Sequence, residues 1–121
     1  MAERRRFWLG SSLKDIRSFP ATARQRARFE LGELQQERLP SDWKPVTTVG
    51  SGVYEIRIRT GVERRVLYVA KFAEGIYVLH VFEKKTQRMR KHDLDVATTR
   101  LSELIRERRQ LQKGKPGRRP E

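Results

Sequence analysis

The feature that most constrains the fold is the stretch of residues 54–86. It contains three apolar runs, namely Y-E-I-R-I-R, R-V-L-Y-V-A-K-F and I-Y-V-L-H-V-F, which are separated by T-G-V-E-R and A-E-G. Valine, isoleucine and aromatic residues favour strands, and short glycine-containing segments favour tight turns. The stretch therefore predicts three consecutive antiparallel strands joined by hairpins.

The three predicted strands differ in pattern. In the first, Tyr54, Ile56 and Ile58 alternate with charged residues, which indicates one buried and one solvated face. The second and third are apolar on both sides, so we place them in the centre of the sheet with helices over at least one face. We expect the remaining apolar segments to cover one face and the leftover arginines and lysines to line the other.

The segments before the sheet predict an edge strand and two helices. Residues 7–9 are long enough for the strand, and Ser12 with Asp15 fits a capping box for a short helix ending near Ser18. A second helix is expected over residues 20–37, with Pro20 in its first turn. Its apolar face is formed by Ala23, Ala27, Leu31 and Leu34.

A loop and a last helix complete the pattern. Two prolines mark residues 39–45 as a loop, from which Leu39 and Trp43 are expected to close over the core. Asp93 is expected to cap the last helix, with Asp95 also in its first turn. The apolar stripe of this helix consists of Leu94, Ala97, Leu101, Leu104 and Ile105.

The element order predicts one small α+β domain over residues 1–112. It has an antiparallel sheet of about four strands with two N-terminal helices and one C-terminal helix packed on it. Residues 113–121 lack apolar side chains and contain Gly and Pro, which predicts a basic, disordered tail.

The charge points to a polyanionic partner. The 121 residues carry a net charge of +13, and residues 57–91 alone hold ten basic and three acidic side chains. Such a field attracts nucleic acid, although a solubilising surface is the alternative. The chain has no cysteine, no apolar leader and no run long enough to span a membrane. We therefore expect a soluble, cytoplasmic protein.

The distribution of polar residues favours chemistry without a metal. The acidic residues are scattered and the two histidines lie in different settings, so no metal site or other cofactor is expected. Arginines and lysines on a sheet face can stabilise the phosphorane that forms when an RNA 2′-hydroxyl attacks its own 3′ phosphate. The candidate residues are Arg57, Arg65, Lys84 and Lys85, with His92 as a candidate acid or base.

Each candidate also has a structural interpretation. Arg57 has the position of an ordinary exposed strand residue, and Arg65 can pair across strands with Glu63 or Glu55. The two lysines at positions 84 and 85 can protect a sheet edge from aggregation. His80 is in phase with Ile76, Val78 and Phe82, which favours a satisfied core histidine, and His92 can be a plain surface residue.

Several segments resemble one known group of proteins. The segments F-W-L-G-S-S-L-K-D-I-R-S-F-P, V-Y-E-I-R-I, R-V-L-Y-V-A-K-F and above all Y-V-L-H-V-F-E-K-K-T-Q resemble the phage-derived HigB-like branch of the RelE/ParE toxin superfamily. The likeness covers residues 7–107. It implies a RelE-like fold and a type II toxin that enters the ribosomal A site and cuts translated mRNA. It also implies a cognate antitoxin, usually a helix-turn-helix protein.

The resemblance assigns roles to positions in this sequence. Arg57 and Arg65 match the basic sheet residues of the family, and Lys84 and Lys85 match those at the end of the last strand. The general base is assigned to His92 or Lys85. Further contacts to RNA or the ribosome are expected from Arg59, Lys71, Arg88, Arg90 and Lys91.

Two other functions fit the same sequence. ParE-like relatives inhibit DNA gyrase without cleaving nucleic acid, and a shared fold does not fix function. A basic nucleic-acid-binding module would also account for the charge. The long second helix is a plausible docking surface for the antitoxin.

Overall fold

The computed structural model describes residues 4–114. A single mixed sheet with the strand order β1-β5-β4-β3-β2 has helices on both faces. The strands are β1 (Arg5–Trp8), β2 (Trp43–Pro45), β3 (Val53–Thr60), β4 (Val62–Val69) and β5 (Gly75–Glu83). The helices are α1 (Ser12–Arg17), α2 (Ala21–Gln35) and α3 (Lys91–Gly114).

The predicted meander of three antiparallel strands is confirmed as β3, β4 and β5. The sheet has five strands, because β1 pairs in parallel with β5 and the short β2 pairs with β3 at the opposite edge. Gly75 permits the parallel pairing, since a Cβ at this residue would lie 2.4 Å from the Arg5 carbonyl oxygen. The α+β class and the three packed helices agree with the prediction.

One face of the sheet packs against α1 and α2. The predicted apolar face of α2 is confirmed, since all four of its members are buried against the sheet. They contact the even-numbered residues of β3 and β4, represented by Ile56, Ile58 and Val66. The alternation of β3 thus places Ile56 and Ile58 towards α2 and the charged residues on the other face.

The opposite face is partly covered, which corrects the expectation that the apolar segments cover one face and leave the other to arginines and lysines. Helix α3 and the turn after β2 pack on it, with Leu67, Leu79, Val49 and Leu101 in their core. The apolar stripe predicted for α3 lies in this contact. The charged end of β3 and β4 is left outside it.

Three predicted helix starts are wrong in detail. Ser12 is the first residue of α1, and its hydroxyl donates to the Val78 carbonyl at 3.3 Å instead of capping the helix. Pro20 precedes α2 as its N-cap residue, so it lies one position before the first turn. Helix α3 begins at Lys91, and the Asp93 side chain accepts a hydrogen bond from His80 instead of capping.

The loop before β3 also differs from expectation. Leu39 and Trp43 do not close over the core, since 69% and 37% of their surfaces are exposed. Trp43 begins the edge strand β2, and its ring packs edge-on against Tyr54 at 5.4 Å. At the other end of the chain, α3 extends to Gly114, two residues past the expected domain end. The rest of the expected tail lies outside the described residues and stays a prediction.

Candidate functional site

An open concavity of about 410 Å³ occupies the uncovered end of the α3 face. Its floor is formed by β3 and β4, one wall by the segment around β2, and the other wall by the loop between β5 and α3. The charged or polar residues among its lining are Lys44, Thr47, Thr48, Glu55, Arg65, Lys84, Gln87 and Arg88. The alternation of β3 and β4 places Glu55 and Arg65 here, since their strand neighbours Ile56 and Val66 face α2.

Glu55 is the centre of an ion-pair network on the floor of the concavity. Its side chain is fully buried and accepts two hydrogen bonds of 2.7 Å from Nη1 of Arg65. Nε of Arg57 lies 3.6 Å and Nζ of Lys44 3.8 Å from its Oε2. A buried carboxylate is tolerated when cations and hydrogen bonds compensate its desolvation, and three cations surround this one.

Arg65 is held by two carboxylates. Besides Glu55, the neighbouring Glu63 accepts hydrogen bonds from its Nε, at 2.7 Å, and from its Nη2. The hydrogen bond from Arg65 lowers the pKa of Glu63, which keeps this carboxylate ionised. The interpretation of Arg65 as a cross-strand partner is confirmed for Glu55 of β3, whereas Glu63 lies two residues away on β4 itself. Its guanidinium is only 6% exposed.

Arg57 and Arg59 follow Glu55 on the same face of β3 and share a third carboxylate. Asp42 lies 3.6 Å from Nη1 of Arg57 and 3.3 Å from Nε of Arg59. The Nε of Arg57 is buried and has no hydrogen-bond partner in the described part of the chain. Both arginines line a separate cleft at the sheet edge, together with Arg26 and Asp42.

The loop after β5 carries the cations without carboxylate partners. Lys84 donates a hydrogen bond of 2.6 Å from Nζ to the Gln87 carbonyl and lines both the concavity and a neighbouring hollow of about 400 Å³. Lys85 is exposed in that hollow, and Arg88 is exposed at the rim of the concavity. Within residues 4–114, none of these three side chains forms an ion pair.

Four of the predicted site residues line neither the concavity nor the two neighbouring hollows. His92 is exposed at the second position of α3. Arg90 and Lys91 pair with Asp93 and Asp95 in the first turns of that helix. Lys71 lies after β4 and donates a hydrogen bond of 3.0 Å to the Ser51 carbonyl. The functions assigned to these residues stay predictions.

His80 joins β5 to the start of α3 beside the site. Its Nε2 donates a 2.8 Å hydrogen bond to Asp93, and its ring stacks on Phe82 at 4.9 Å. The prediction of a buried histidine with a partner is confirmed, although no partner of its Nδ1 is found in the described chain. Burial lowers the pKa of His80, and the hydrogen bond that it donates to Asp93 opposes this shift.

The prediction that His80 shares a face of the sheet with Ile76 and Val78 is wrong. The pairing of β4 with β5 shifts register between Leu67 and Tyr68, which places an irregularity at Leu79. Beyond it the alternation changes phase: Ile76 and Val78 face α2, whereas Phe82 belongs to the core beneath α3. A bulge adds one residue to one strand, and simple alternation does not reveal it.

Sequence reasoning overlooked the contributions of Asp42 and Lys44 to this site. Both come from the segment assigned to a loop and reach the network because Lys44 pairs with Glu55 across β2 and β3. The signal available in the sequence was the short W-K-P run, which contains Lys44 and follows Asp42, and this signal is weak. Glu55 itself was considered only as a partner of Arg65.

Residues 4–114 contain neither a candidate metal site nor a candidate membrane-spanning helix. Groups of three or more histidine or acidic side chains placed to hold a metal ion do not occur among them. Their helices include none with the length and apolar character required to cross a membrane.

Comparison with known proteins identifies the family. The model of the family described as "Phage derived protein Gp49-like (DUF891)" matches residues 14–102. A search of curated proteins gave no match. Among solved structures, a double arginine mutant of the E. coli toxin RelE in the free state superimposes with a TM-score of 0.59 at 18% sequence identity. The alignment covers 86% of this chain and 99% of the RelE chain. The chain therefore belongs to the Gp49-like family of phage-derived proteins and has the fold of the RelE-like toxins.

Proposed function

We propose that this protein is the toxin of a type II toxin–antitoxin system and acts as a metal-independent, ribosome-dependent endoribonuclease on mRNA. The observation that carries the proposal is the open concavity of a RelE-like fold with Lys84 and Arg88 on its rim and Lys85 beside it. Translating ribosomes as the target place its action in the cytoplasm. An antitoxin encoded by the adjacent gene, expected to be a helix-turn-helix protein, blocks the toxin.

The charge distribution supports a division of labour among the cations. The phosphorane formed by 2′-hydroxyl attack carries more negative charge than the ground state, and cations that are already in place stabilise it selectively. Lys84, Lys85 and Arg88 have no carboxylate partner among the described residues and are free to contact phosphate. Arg65 has its donors committed to Glu55 and Glu63, so its role is to position the floor.

The proton acceptor is assigned to His92 or Lys85. Imidazole is the side chain most often used as a general base, and Lys85 directly follows Lys84 of the concavity lining. Replacing each residue in turn by glutamine separates the two. The acceptor's variant loses cleavage and the other retains it.

Primer extension on an mRNA translated in a purified system tests the nuclease proposal. Wild type is expected to cut the message only when ribosomes are present, and Lys84→Ala/Lys85→Ala is expected to cut at least about 100-fold more slowly. Lys14→Ala/Arg17→Ala is a matched control, since it removes two exposed cations on α1, away from the concavity. The proposal is contradicted if the wild-type protein arrests growth but leaves the message intact.

The pairing of the sheet arginines favours a second candidate, a non-enzymatic inhibitor such as a ParE-like poison of DNA gyrase. Arg57, Arg59 and Arg65 each lie within ion-pair distance of two carboxylates, which reduces the charge offered to a phosphodiester. This candidate predicts DNA-damage signalling after expression, with translation unaffected. The nuclease candidate predicts the opposite pair of results.

A further inference from the structure

A second polar cleft, of about 330 Å³, lies at the sheet edge beyond the end of β2. We call it the edge cleft and define it by its lining residues Arg26, Ser41, Asp42, Arg57, Arg59 and Thr60. The last pair between β2 and β3 joins Trp43 to Ile56, whereas β3 continues to Thr60. The outer edge of β3 around Arg59 therefore has no neighbouring strand among the described residues, and this gap forms the cleft.

The walls of the edge cleft are fixed by two carboxylates. Glu30 of α2, which is buried, accepts a 2.9 Å hydrogen bond from the backbone N–H of Ser41 and pairs with Nε of Arg26 at 3.0 Å. Asp42 holds Arg57 and Arg59 from the opposite side. The three guanidinium groups are thus brought together from α2 and β3 by a defined scaffold.

The cleft keeps an excess of positive charge and of unused hydrogen-bonding groups. Its lining contains three arginines and one aspartate. The balance falls to one positive charge when the other carboxylates that pair with these arginines, Glu30, Glu55 and Glu63, are included together with Arg65 and Lys44, the other cations that pair with Glu55 and Glu63. Nε of Arg57 and Oγ1 of Thr60 are buried without hydrogen-bond partners in the described chain. Nε of Arg57 has Glu55 at 3.6 Å on the concavity side, so among the described residues of the cleft Thr60 Oγ1 is the unpartnered atom that counts. Buried polar groups normally find a partner, and an unpartnered hydroxyl beside three arginines favours a ligand that accepts hydrogen bonds.

One side chain, Arg57, lies between the cleft and the concavity. Arg57 lines the edge cleft, and its Nε lies 3.6 Å from Glu55, on the concavity floor. A polyanion that lies across the concavity can therefore place a neighbouring negative group in the cleft. Guanidinium groups match the geometry of a phosphate better than ammonium groups do.

We propose that the edge cleft is a second phosphate-binding site, which takes a backbone phosphate of single-stranded RNA beside the one at the concavity. The proposal rests on the proposed function in that RNA is the ligand of the concavity. It adds Arg26, Arg59 and Thr60 as residues that determine how the RNA strand runs past the sheet edge.

Salt-dependent binding of a fluorescein-labelled, single-stranded RNA oligonucleotide tests the site without ribosomes and without cleavage. Fluorescence anisotropy is measured from about 50 to 200 mM salt for wild type, Arg59→Ala/Thr60→Val and Arg26→Gln. The matched control is Arg28→Ala. Arg28 is an exposed arginine of α2 outside the cleft, so this substitution removes one charge without changing the cleft. Melting curves exclude binding losses caused by unfolding.

For each cleft variant we expect about tenfold weaker binding at low salt. The slope of log affinity against log salt should fall by about 0.7, the value for one lost phosphate contact on a single strand. Arg28→Ala should keep the wild-type slope and bind within about twofold of wild type. Equal losses in the cleft and control variants would indicate a general charge effect and overturn the proposal, as would unchanged slopes in the cleft variants.

Two further measurements separate this proposal from neighbouring ones. Lys84→Ala/Lys85→Ala tests RNA binding at the concavity: if it binds like wild type while the cleft variants lose affinity, the proposed function fails and the edge cleft stands. Labelled poly-glutamate tests an acidic peptide as the ligand. If cleft variants lose poly-glutamate binding but bind RNA normally, the phosphate proposal is wrong.

Discussion

The floor of the concavity and the loop after β5 both carry positive side chains, but those of the floor are paired with carboxylates and those of the loop are not. On the floor, Arg65 is buried and bonded to two carboxylates, and Arg57 lies between Asp42 and Glu55. On the loop after β5, Lys84 bonds to a carbonyl and Lys85 is exposed. A buried pair is costly to break because its remaining member stays desolvated, whereas an exposed cation is lost without a structural penalty. The floor should therefore support the fold and the loop should support binding.

Glu55→Gln should show the largest effect on the floor. It removes the charge that compensates Arg65 in a fully buried position, and such a loss costs about 3–5 kcal/mol of unfolding free energy. Urea denaturation followed by circular dichroism measures the change. Glu63→Gln serves as the comparison, since Glu63 is 31% exposed and should cost less. Equal stabilities of wild type and Glu55→Gln would show that the floor network is not structural.

Lys84→Ala/Lys85→Ala should show the converse on the loop. We expect the unfolding free energy to stay within about 0.5 kcal/mol of wild type, because neither lysine has an ion-pair partner in the described structure. Cleavage should fall at least about 100-fold in the same preparation. A variant that is as destabilised as Glu55→Gln would remove the distinction between floor and loop.

The sequence was sufficient for those features that depend on local periodicity. Alternation in residues 53–60 gave β3 and its two faces, and the spacing of Ala23, Ala27, Leu31 and Leu34 gave the buried side of α2. The charge states of the site depend on contacts between distant segments. Asp42 and Lys44 reach β3 through an edge strand of three residues, which carries too little pattern to be recognised.

The phase change in β5 shows a second limit of periodicity. His80 was correctly expected to be buried, yet the irregularity at Leu79 moves it away from the face shared by Ile76 and Val78. One inserted residue moves every later side chain of a strand to the opposite face of the sheet. None of the residue types in I-Y-V-L-H-V-F indicates such an insertion. The bulge is what brings His80 to Asp93 and couples β5 to the helix that follows the loop.

His80 gives the junction between floor and loop a pH dependence. Burial lowers its pKa in the folded protein, so the unfolded chain binds more protons as the pH falls below about 6.5. Stability should therefore be complete above that pH and decrease as the pH falls towards the folded pKa. The groups that act on this histidine are Asp93 and Arg100 of α3 and Asp15 of α1. The wild-type slope between about pH 7 and 5.5 should be absent in His80→Asn, and equal slopes would contradict this account.

Arg59→Ala should show the smallest effect on stability, although Arg59 belongs to the floor by sequence position. Its side chain is 58% exposed, and its distances to Asp42 and Glu63 are 3.3 and 3.9 Å. Solvent screens such pairs, so we expect a change within about 0.5 kcal/mol by urea denaturation. Arg65 lies on the same face, two residue pairs further from the hairpin turn than Arg59. Arg65→Ala should cost several-fold more stability, because it leaves Glu55 buried without its closest cation. Equal losses of stability in Arg59→Ala and Arg65→Ala would show that side-chain exposure does not determine which cations support the fold.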